Sequence, residues 1–243
     1  MIFLLYVQFL IVEDSKSTNK ILTQYFKHKF YIVLSVFTLS EAYKILASQT
    51  INYILLDMNL PDGSGYELLK LYSNKGIKFF VLTSDDDIQL KEVSYQNGVI
   101  DFILKDKDFY KKISQIDSSI KLLEKNKEKS ILVVDDSTAV TTQLKDIFEN
   151  RNYKVFTSAT THEALEILNQ NQIDLIVLGL ETKDDNSVVF LLQNAPIIFK
   201  TIKIPVIILS SNITSSTIRD GIKAGAIEVM KKPYVIEEMI LKI

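Results

Sequence analysis

The sequence predicts two α/β domains in tandem, each built on a parallel β-sheet with helices on both faces. Short apolar strands rich in Val, Ile, Leu and Phe alternate with amphipathic helices along the 243 residues. Strands that are apolar over their whole length are typical of parallel sheets buried on both faces. The same order of elements starts again at Ser130. The chain therefore contains an internal repeat.

The first five strand–helix pairs follow from apolar runs and from the residues that interrupt them. Strands are predicted at 7–12, 30–36, 53–56, 78–82 and 101–104. Helices are predicted at 18–29, 40–47, 66–72, 86–96 and 109–124, the second capped by Ser40. Pro61, Gly63 and Gly65 end the third strand and impose a loop after it.

The second copy keeps the spacing of the first. Residues 9–15 read FLIVEDS and residues 131–137 read ILVVDDS. From this acidic pair to the end of the third strand the distance is 43 residues in both copies (57 − 14 and 179 − 136). A charged run at 121–129 separates the copies and is expected to be a solvated helix end with a linker, a binding patch being the alternative. The predicted domains are 1–127 and 128–243.

Composition excludes several classes of protein. A net charge of −2 gives no basic excess for nucleic acid. The absence of Cys excludes disulfides and thiolate metal sites, and it fits a cytoplasmic protein. The apolar segment 1–12 is too short to span a bilayer and lacks the basic start and cleavage site of a signal peptide. We expect a buried strand there, and neither membrane nor nucleic acid as a partner.

Polar residues recur where the predicted strands of the first copy end. They are Glu13 and Asp14 after the first strand, Asp57 after the third, Thr83 after the fourth and Lys105 after the fifth. Alone, Asp14 would be interpreted as a helix cap and Thr83 or Lys105 as surface residues. Together, and with Leu60, Pro61 and Gly65 in the loop, they resemble the receiver domain of two-component response regulators over almost all of residues 7–125.

The resemblance implies two flavodoxin-like (CheY-like) doubly wound five-stranded sheets with strand order 2-1-3-4-5. In such sheets ligands bind at the carboxyl ends of the strands, where these residues stand. Three crowded carboxylates repel by about 4 kcal/mol per close pair at an effective dielectric of 20, which a hard divalent cation relieves. The resemblance implies Mg²⁺ held directly by Asp14 and Asp57, by Glu13 mostly through water, and by the Met58 carbonyl.

The resemblance also implies roles in phosphoryl transfer. Asp57 would accept a phosphoryl group from a histidine kinase or a histidine phosphotransfer protein. Lys105 would neutralise one phosphoryl oxygen, and Thr83 would donate its hydroxyl to another and draw in the following loop. Phe102 stands where the family often has an aromatic residue whose rotamer reports the state. A plain core or surface aromatic is the alternative.

The second copy departs from this pattern at one position. Asp135 and Asp136, Ser210 and Lys232 match the acidic pair, the hydroxyl and the lysine, and the last two are 22 residues apart as in the first copy (105 − 83 and 232 − 210). The acceptor position is Gly179, which has no side chain to phosphorylate. We expect a degenerate receiver that serves in dimerisation or adaptor contact, with residual metal binding by the acidic pair as the alternative.

The predicted function is a response regulator that controls a partner or an output domain, with a homodimer as one form. The arrangement resembles the regulatory half of receiver-receiver-GGDEF diguanylate cyclases, although these residues contain no GGDEF motif. The last predicted helix, from Val235, is much shorter than its counterpart at 109–124, so we expect either a truncated chain or an output domain downstream. Two alternatives are an aspartate-dependent Mg²⁺ phosphohydrolase, which usually has Asp where this chain has Asn59, and a non-phosphorylated scaffold. Only self-phosphorylation and dephosphorylation are expected of these residues.

Overall fold

A computed structural model describes residues 8–29, 31–84, 88–180 and 204–243. The chain divides into two compact units that meet between Lys121 and Leu122. The predicted boundary after residue 127 lies a few residues further along. Among the described residues, no helix is both long and apolar enough to cross a bilayer.

The first unit contains a five-stranded parallel sheet in the predicted order 2-1-3-4-5, as β2-β1-β3-β4-β5. Its strands are β1 (Gln8–Val12), β2 (Ile32–Val36), β3 (Tyr53–Asp57), β4 (Lys78–Thr83) and β5 (Val99–Leu104). The helices that follow them are α1 (Lys16–His28), α2 (Leu39–Ser48), α3 (Gly65–Tyr72), α4 (Ile88–Gln96) and α5 (Phe109–Asn126). The boundary between the units falls inside α5.

The second unit repeats this topology, with sheet order β7-β6-β8-β9-β10. Its strands are β6 (Ser130–Val134), β7 (Lys154–Ser158), β8 (Leu175–Gly179), β9 (Val206–Ser210) and β10 (Glu228–Lys231). Its described helices are α6 (Thr138–Asn150), α7 (Thr161–Gln170), α8 (Ser215–Lys223) and α9 (Ile236–Lys242). The predicted fold class is confirmed for both halves of the chain.

The core of the first unit lies on both faces of the sheet, as the apolar strands predict. All five residues of β3 are buried, and alternate residues face opposite sides. On one face Leu10, Ile54 and Leu56 join a cluster with residues of α2 and α3. On the other, Phe9 stacks on Phe26 of α1 with ring centroids 4.3 Å apart. This double burial holds the carboxyl ends of β1 and β3 side by side.

The cap of α2 differs from the prediction, which named Ser40. Thr38 caps the helix, since its hydroxyl accepts the Glu41 N–H at 3.2 Å. The Glu41 carboxylate accepts the Phe37 N–H at 2.8 Å, so it binds the residue before the cap, where a capping box would bind the cap residue itself. Ser40 instead donates its N–H and its hydroxyl to Asp62, each at 2.9 Å. The Ser40 prediction was wrong because the helix begins one residue earlier, at Leu39, and the Ser40 N–H and hydroxyl both bind Asp62.

Candidate functional site

Three carboxylates meet at the carboxyl edge of the first sheet. Glu13 and Asp14 follow β1, and Asp57 ends the neighbouring strand β3. One oxygen from each lies within 4.8 Å of the others. Glu13 and Asp57 are buried, whereas Asp14 is exposed. The sequence-predicted acidic residues therefore form one cluster that is open to solvent at Asp14.

Lys105 binds two of these carboxylates from the end of β5. Its Nζ lies 2.5 Å from Asp57 Oδ2 and 2.8 Å from Glu13 Oε2. Burial alone would lower the pKa of the Lys105 ammonium, but its hydrogen bond to Asp57 and its ion pair with Glu13 outweigh this and raise that pKa. Burial raises the pKa of the Glu13 carboxyl, and Lys105 opposes this only in part. Lys105 is thus a fixed cation beside the predicted acceptor.

The loop after β3 fixes the Asp57 carboxylate through the backbone. Asp57 Oδ1 accepts the Asn59 N–H at 3.1 Å, and the Met58 N–H continues the ladder to the Leu82 carbonyl at 3.2 Å. The Met58 carbonyl accepts the Gly65 N–H at 3.0 Å. A carbonyl oxygen has two lone pairs, so one remains for a further partner. The role of this carbonyl as a metal ligand stays a prediction.

Gly65 is required where this loop folds back on the acceptor. A Cβ at this position would lie 2.4 Å from the Asp57 carbonyl oxygen and 3.1 Å from the Met58 Cα. Both are backbone atoms, which cannot move aside without moving the acceptor itself. Gly65 was predicted from the sequence to end the strand. In the structure it also allows the loop backbone to pass close to the backbone of Asp57.

The residues present fit a hard divalent cation. Glu13, Asp14 and Asp57 contribute three negative charges when ionised, and Lys105 contributes one positive charge, which leaves −2 (−3 + 1). All donors in the cluster are carboxylate oxygens, the ligands that Mg²⁺ and Ca²⁺ prefer. The chemistry of the donor set thus agrees with the predicted magnesium site.

The predicted switch residues lie on β4, which pairs with the acceptor strand β3, and on β5, which pairs with β4. Thr83 is buried at the end of β4, and its carbonyl accepts the Lys105 N–H at 2.8 Å. Phe102, on β5, is partly buried and packs edge-on against Tyr95 of α4, with ring centroids 5.2 Å apart. Tyr95 was not identified from the sequence. The switching roles of Thr83 and Phe102 stay predictions.

Asp62 is a further residue of the site region that the sequence pattern did not single out. Its carboxylate accepts the N–H groups of Leu39 and Ser40 at 2.8 and 2.9 Å, so it ties the loop after β3 to the start of α2. The backbone hydrogen bonds from Ser40 and Leu39 lower the pKa of the Asp62 carboxyl. Acidic residues are favoured at helix N-termini, but here the helix is 22 residues away in sequence. The contact of Asp62 with the start of α2 depends on the folded loop and could not be predicted from the sequence pattern.

The corresponding site of the second unit is occupied by an ion pair between two of the predicted residues. Asp135 is buried and forms an ion pair with Lys232, whose N–H donates to the Ser210 carbonyl at 2.7 Å. A Cβ on Gly179 would lie 2.5 Å from Asp135 Oδ2 and 3.0 Å from its Cγ. The Asp135 carboxylate thus occupies space that an acceptor side chain would need.

The remaining polar residues of the second site differ in their surroundings. The hydroxyl of Ser210 donates to the Asn212 carbonyl at 2.9 Å and accepts the Asn212 N–H at 3.2 Å. Asp136 is exposed, as is its counterpart Asp14. The lysine and the hydroxyl therefore both have partners within the second unit.

Comparison with known proteins agrees with this geometry. The family profile described as the response regulator receiver domain matches residues 9–117 and 131–243. The transcriptional regulatory protein CrdR of Helicobacter pylori is 25% identical over 122 residues, covering 48% of this chain and 54% of that protein. The two-component response regulator-like protein APRR3 of Arabidopsis thaliana is 33% identical over 102 residues, covering 40% of this chain and 21% of that protein. These matches span about half or less of the length of either relative.

A shorter relative and two solved structures complete the comparison. Sporulation initiation phosphotransferase F of Bacillus subtilis is 27% identical over 109 residues, covering 45% of this chain and 86% of that protein. Two structures of proteins described as two-component system response regulator/GGDEF domain proteins superpose with a TM-score of 0.73 each, at 21% and 22% identity. In both cases the superposition covers 97% of this chain and 96% of the other. At that identity the likeness shows the fold of the two units.

Proposed function

Because the chain belongs to the response regulator receiver domain family, we propose that its first domain accepts a phosphoryl group on Asp57 and thereby switches a partner or an output domain. The observation that carries the proposal is the position of Asp57. It lies within 4.8 Å of two further carboxylates and 2.5 Å from the Lys105 ammonium. We further propose domain limits of 1–127 and 128–243, since the motif residues of each copy fall within them.

The carboxylates hold the cation in this proposal. Asp14 and Asp57 bind Mg²⁺ directly, Glu13 acts mostly through water, and the Met58 carbonyl completes the protein ligands. When bound, Mg²⁺ neutralises the carboxylates and the oxygens of the phosphoryl group. The exposure of Asp14 supports this assignment, because the cation needs a route from solvent.

Asp57 is the nucleophile in the proposed reaction. A carboxylate oxygen attacks the phosphorus of a phosphohistidine on the kinase or phosphotransfer protein. An oxygen–phosphorus bond forms as the phosphorus–nitrogen bond breaks, and the leaving imidazole nitrogen keeps the electron pair of that bond. Lys105 is close enough to Asp57 to neutralise an oxygen of the transferred group. Thr83, at the end of the next strand, donates its hydroxyl to another oxygen.

The second domain is proposed to work without this chemistry. It has Gly179 at the acceptor position, and its Lys232 is paired with Asp135. Its proposed roles are dimerisation or contact with an adaptor, including a homodimer of this chain. The absence of an acceptor carboxylate at Gly179 supports the proposal.

Incubation with Mg²⁺ and acetyl phosphate, followed by intact mass measurement, tests the proposed function. We expect the mass of the parent chain to rise by one phosphoryl group, and the Asp57→Asn variant to stay unmodified. Parallel assays with phosphoester substrates address the rival classes. Catalytic turnover of phosphoesters would support a phosphohydrolase, and the absence of any modification would support a scaffold.

A further inference from the structure

Asn19 connects the ends of two strands beneath the acidic cluster. It lies in the second turn of α1, and its side chain is 3% exposed. Its Nδ2 donates to the Glu13 carbonyl at 3.0 Å and to the Val36 carbonyl at 3.1 Å. An amide nitrogen has two hydrogens, so each carbonyl receives one. Asn19 thus satisfies buried backbone acceptors at the ends of β1 and β2.

A second hydrogen bond fixes the orientation of the Asn19 amide. The Thr23 hydroxyl, one helical turn later, donates to Asn19 Oδ1 at 3.3 Å. This contact directs the oxygen of the amide toward α1 and leaves the nitrogen for the two carbonyls. The donor geometry toward Glu13 is therefore set by the helix.

The exposed ligand Asp14 depends on the backbone for its position. Among the described residues its carboxylate has no hydrogen-bond or ion-pair partner, although it approaches Glu13 and Asp57 within 4.8 Å. The Glu13 carbonyl belongs to the peptide group that joins Glu13 to Asp14. A hydrogen bond to this carbonyl restrains the peptide plane and thereby the position of the Asp14 Cα, from which its side chain extends.

We propose that Asn19 is a positioning residue for the divalent-cation site, acting through the Glu13–Asp14 peptide. It holds Asp14 in the orientation in which Asp14 and Asp57 bind one cation together. The assignment rests on the proposed function, because it gives Asn19 a task only if the acidic cluster binds Mg²⁺.

The second unit offers a natural comparison at the same position. Thr141 stands five residues after Asp136, as Asn19 stands five after Asp14. Its hydroxyl oxygen lies 3.1 Å from the Thr138 carbonyl oxygen and 3.4 Å from that of Ser137, so its one proton is used within its own helix region. A hydroxyl has a single proton to donate, so Thr141 cannot supply the two bonds that Asn19 supplies. The second unit, which has no acceptor carboxylate, therefore also lacks the two hydrogen bonds that Asn19 donates in the first unit.

Mg²⁺ titration of the Asn19→Thr variant by isothermal calorimetry tests the assignment. This variant places the residue of the second copy in the first. We expect its Kd for Mg²⁺ to rise by about tenfold, the order of magnitude that outer partners of metal ligands contribute to affinity. Phosphorylation by acetyl phosphate is expected to recover most of its rate when Mg²⁺ is raised to saturation. The control Thr141→Ala should leave the Kd unchanged.

The outcomes separate positioning from a purely structural role. If Asn19→Thr unfolds more easily without Mg²⁺ but binds Mg²⁺ as tightly as the parent chain, the assignment is overturned. If that variant does not fold, as judged by circular dichroism, Asn19→Ser is titrated in the same way under the same criterion. A parent chain that binds Mg²⁺ but is never phosphorylated would overturn the proposed function alone. A parent chain that binds no Mg²⁺ would overturn both.

Discussion

Replacing Asp14 by Asn is expected to stabilise the chain in the absence of Mg²⁺ and to remove its response to the cation. The oxygens of Glu13, Asp14 and Asp57 lie within 4.8 Å of one another. At this separation two unit charges repel by about 0.9 kcal/mol in bulk water and by about 3.5 kcal/mol at an effective dielectric of 20. Asp14 is exposed, which favours the lower figure for each of its two pairs. Removing the Asp14 charge also removes its attraction to Lys105, which offsets part of the relieved repulsion. We therefore expect the free energy of unfolding to rise by about 1 kcal/mol.

The same variant should lose the stabilisation that Mg²⁺ gives to the parent chain. A ligand that binds only the folded state adds about 2.7 kcal/mol at about 100 times its Kd. Urea unfolding of the parent, followed by circular dichroism with and without Mg²⁺, should show a gain of this order in the transition of the first unit. The Asp14→Asn variant should have a higher free energy of unfolding than the parent without Mg²⁺, and this free energy should change little when Mg²⁺ is added.

Asp136→Asn is the matched control, because Asp136 is the exposed member of the acidic pair in the second unit. It should leave the Mg²⁺ response intact. If Asp14→Asn instead lowered the free energy of unfolding without Mg²⁺, the crowding argument would be refuted. An equal response to Mg²⁺ in parent and variant would refute the assignment of Asp14 as a ligand.

Substitutions at Gly65, Lys232 and Glu13 each test one contact of the two sites. Gly65→Ala should destabilise the first unit by about 1–3 kcal/mol in urea unfolding, because its Cβ meets backbone 2.4 Å away, and unchanged stability would contradict this. Lys232→Met should cost about 3–5 kcal/mol by leaving buried Asp135 unpaired, and a loss under 1 kcal/mol would count against a buried pair. Burial raises the pKa of Glu13 above its ordinary 4.5, so the folded state binds more protons and metal-free stability falls as pH rises from 4.5 through the raised value. The free energy of unfolding of Glu13→Gln should therefore rise relative to that of the parent as pH increases across this window. A difference that is independent of pH would exclude the raised pKa of Glu13.

The fold could be predicted from the sequence because its signals are local. Apolar runs such as 53–56 mark buried strands, and the repeat after Ser130 fixes the number of domains. Both sheets follow the strand order that the resemblance implied. The cluster of Glu13, Asp14 and Asp57 was likewise predictable, since the carboxyl ends of neighbouring parallel strands meet at one edge.

Contacts between distant segments were beyond the sequence pattern. Asn19 is an ordinary helix residue until the fold brings the Val36 carbonyl, 17 residues away, within reach of its amide. Asp62 likewise reaches Ser40 only through the folded loop. The sequence shows that Gly179 lacks a side chain, but not that the Asp135 carboxylate fills the space beside it. That result depends on a rotamer and an ion pair, which no spacing of residues encodes.

Locating the phosphoryl group after transfer from a phosphorylated histidine kinase tests whether Asp57 is the acceptor. The chain is incubated with the kinase and Mg²⁺, and the modified peptide is identified by mass spectrometry, with Asp57→Asn in parallel. We predict one phosphoryl group per chain, carried by Asp57 and lost in the variant. A phosphoryl group in the second unit, or one that persists in the Asp57→Asn variant, would show that Asp57 is not the sole acceptor.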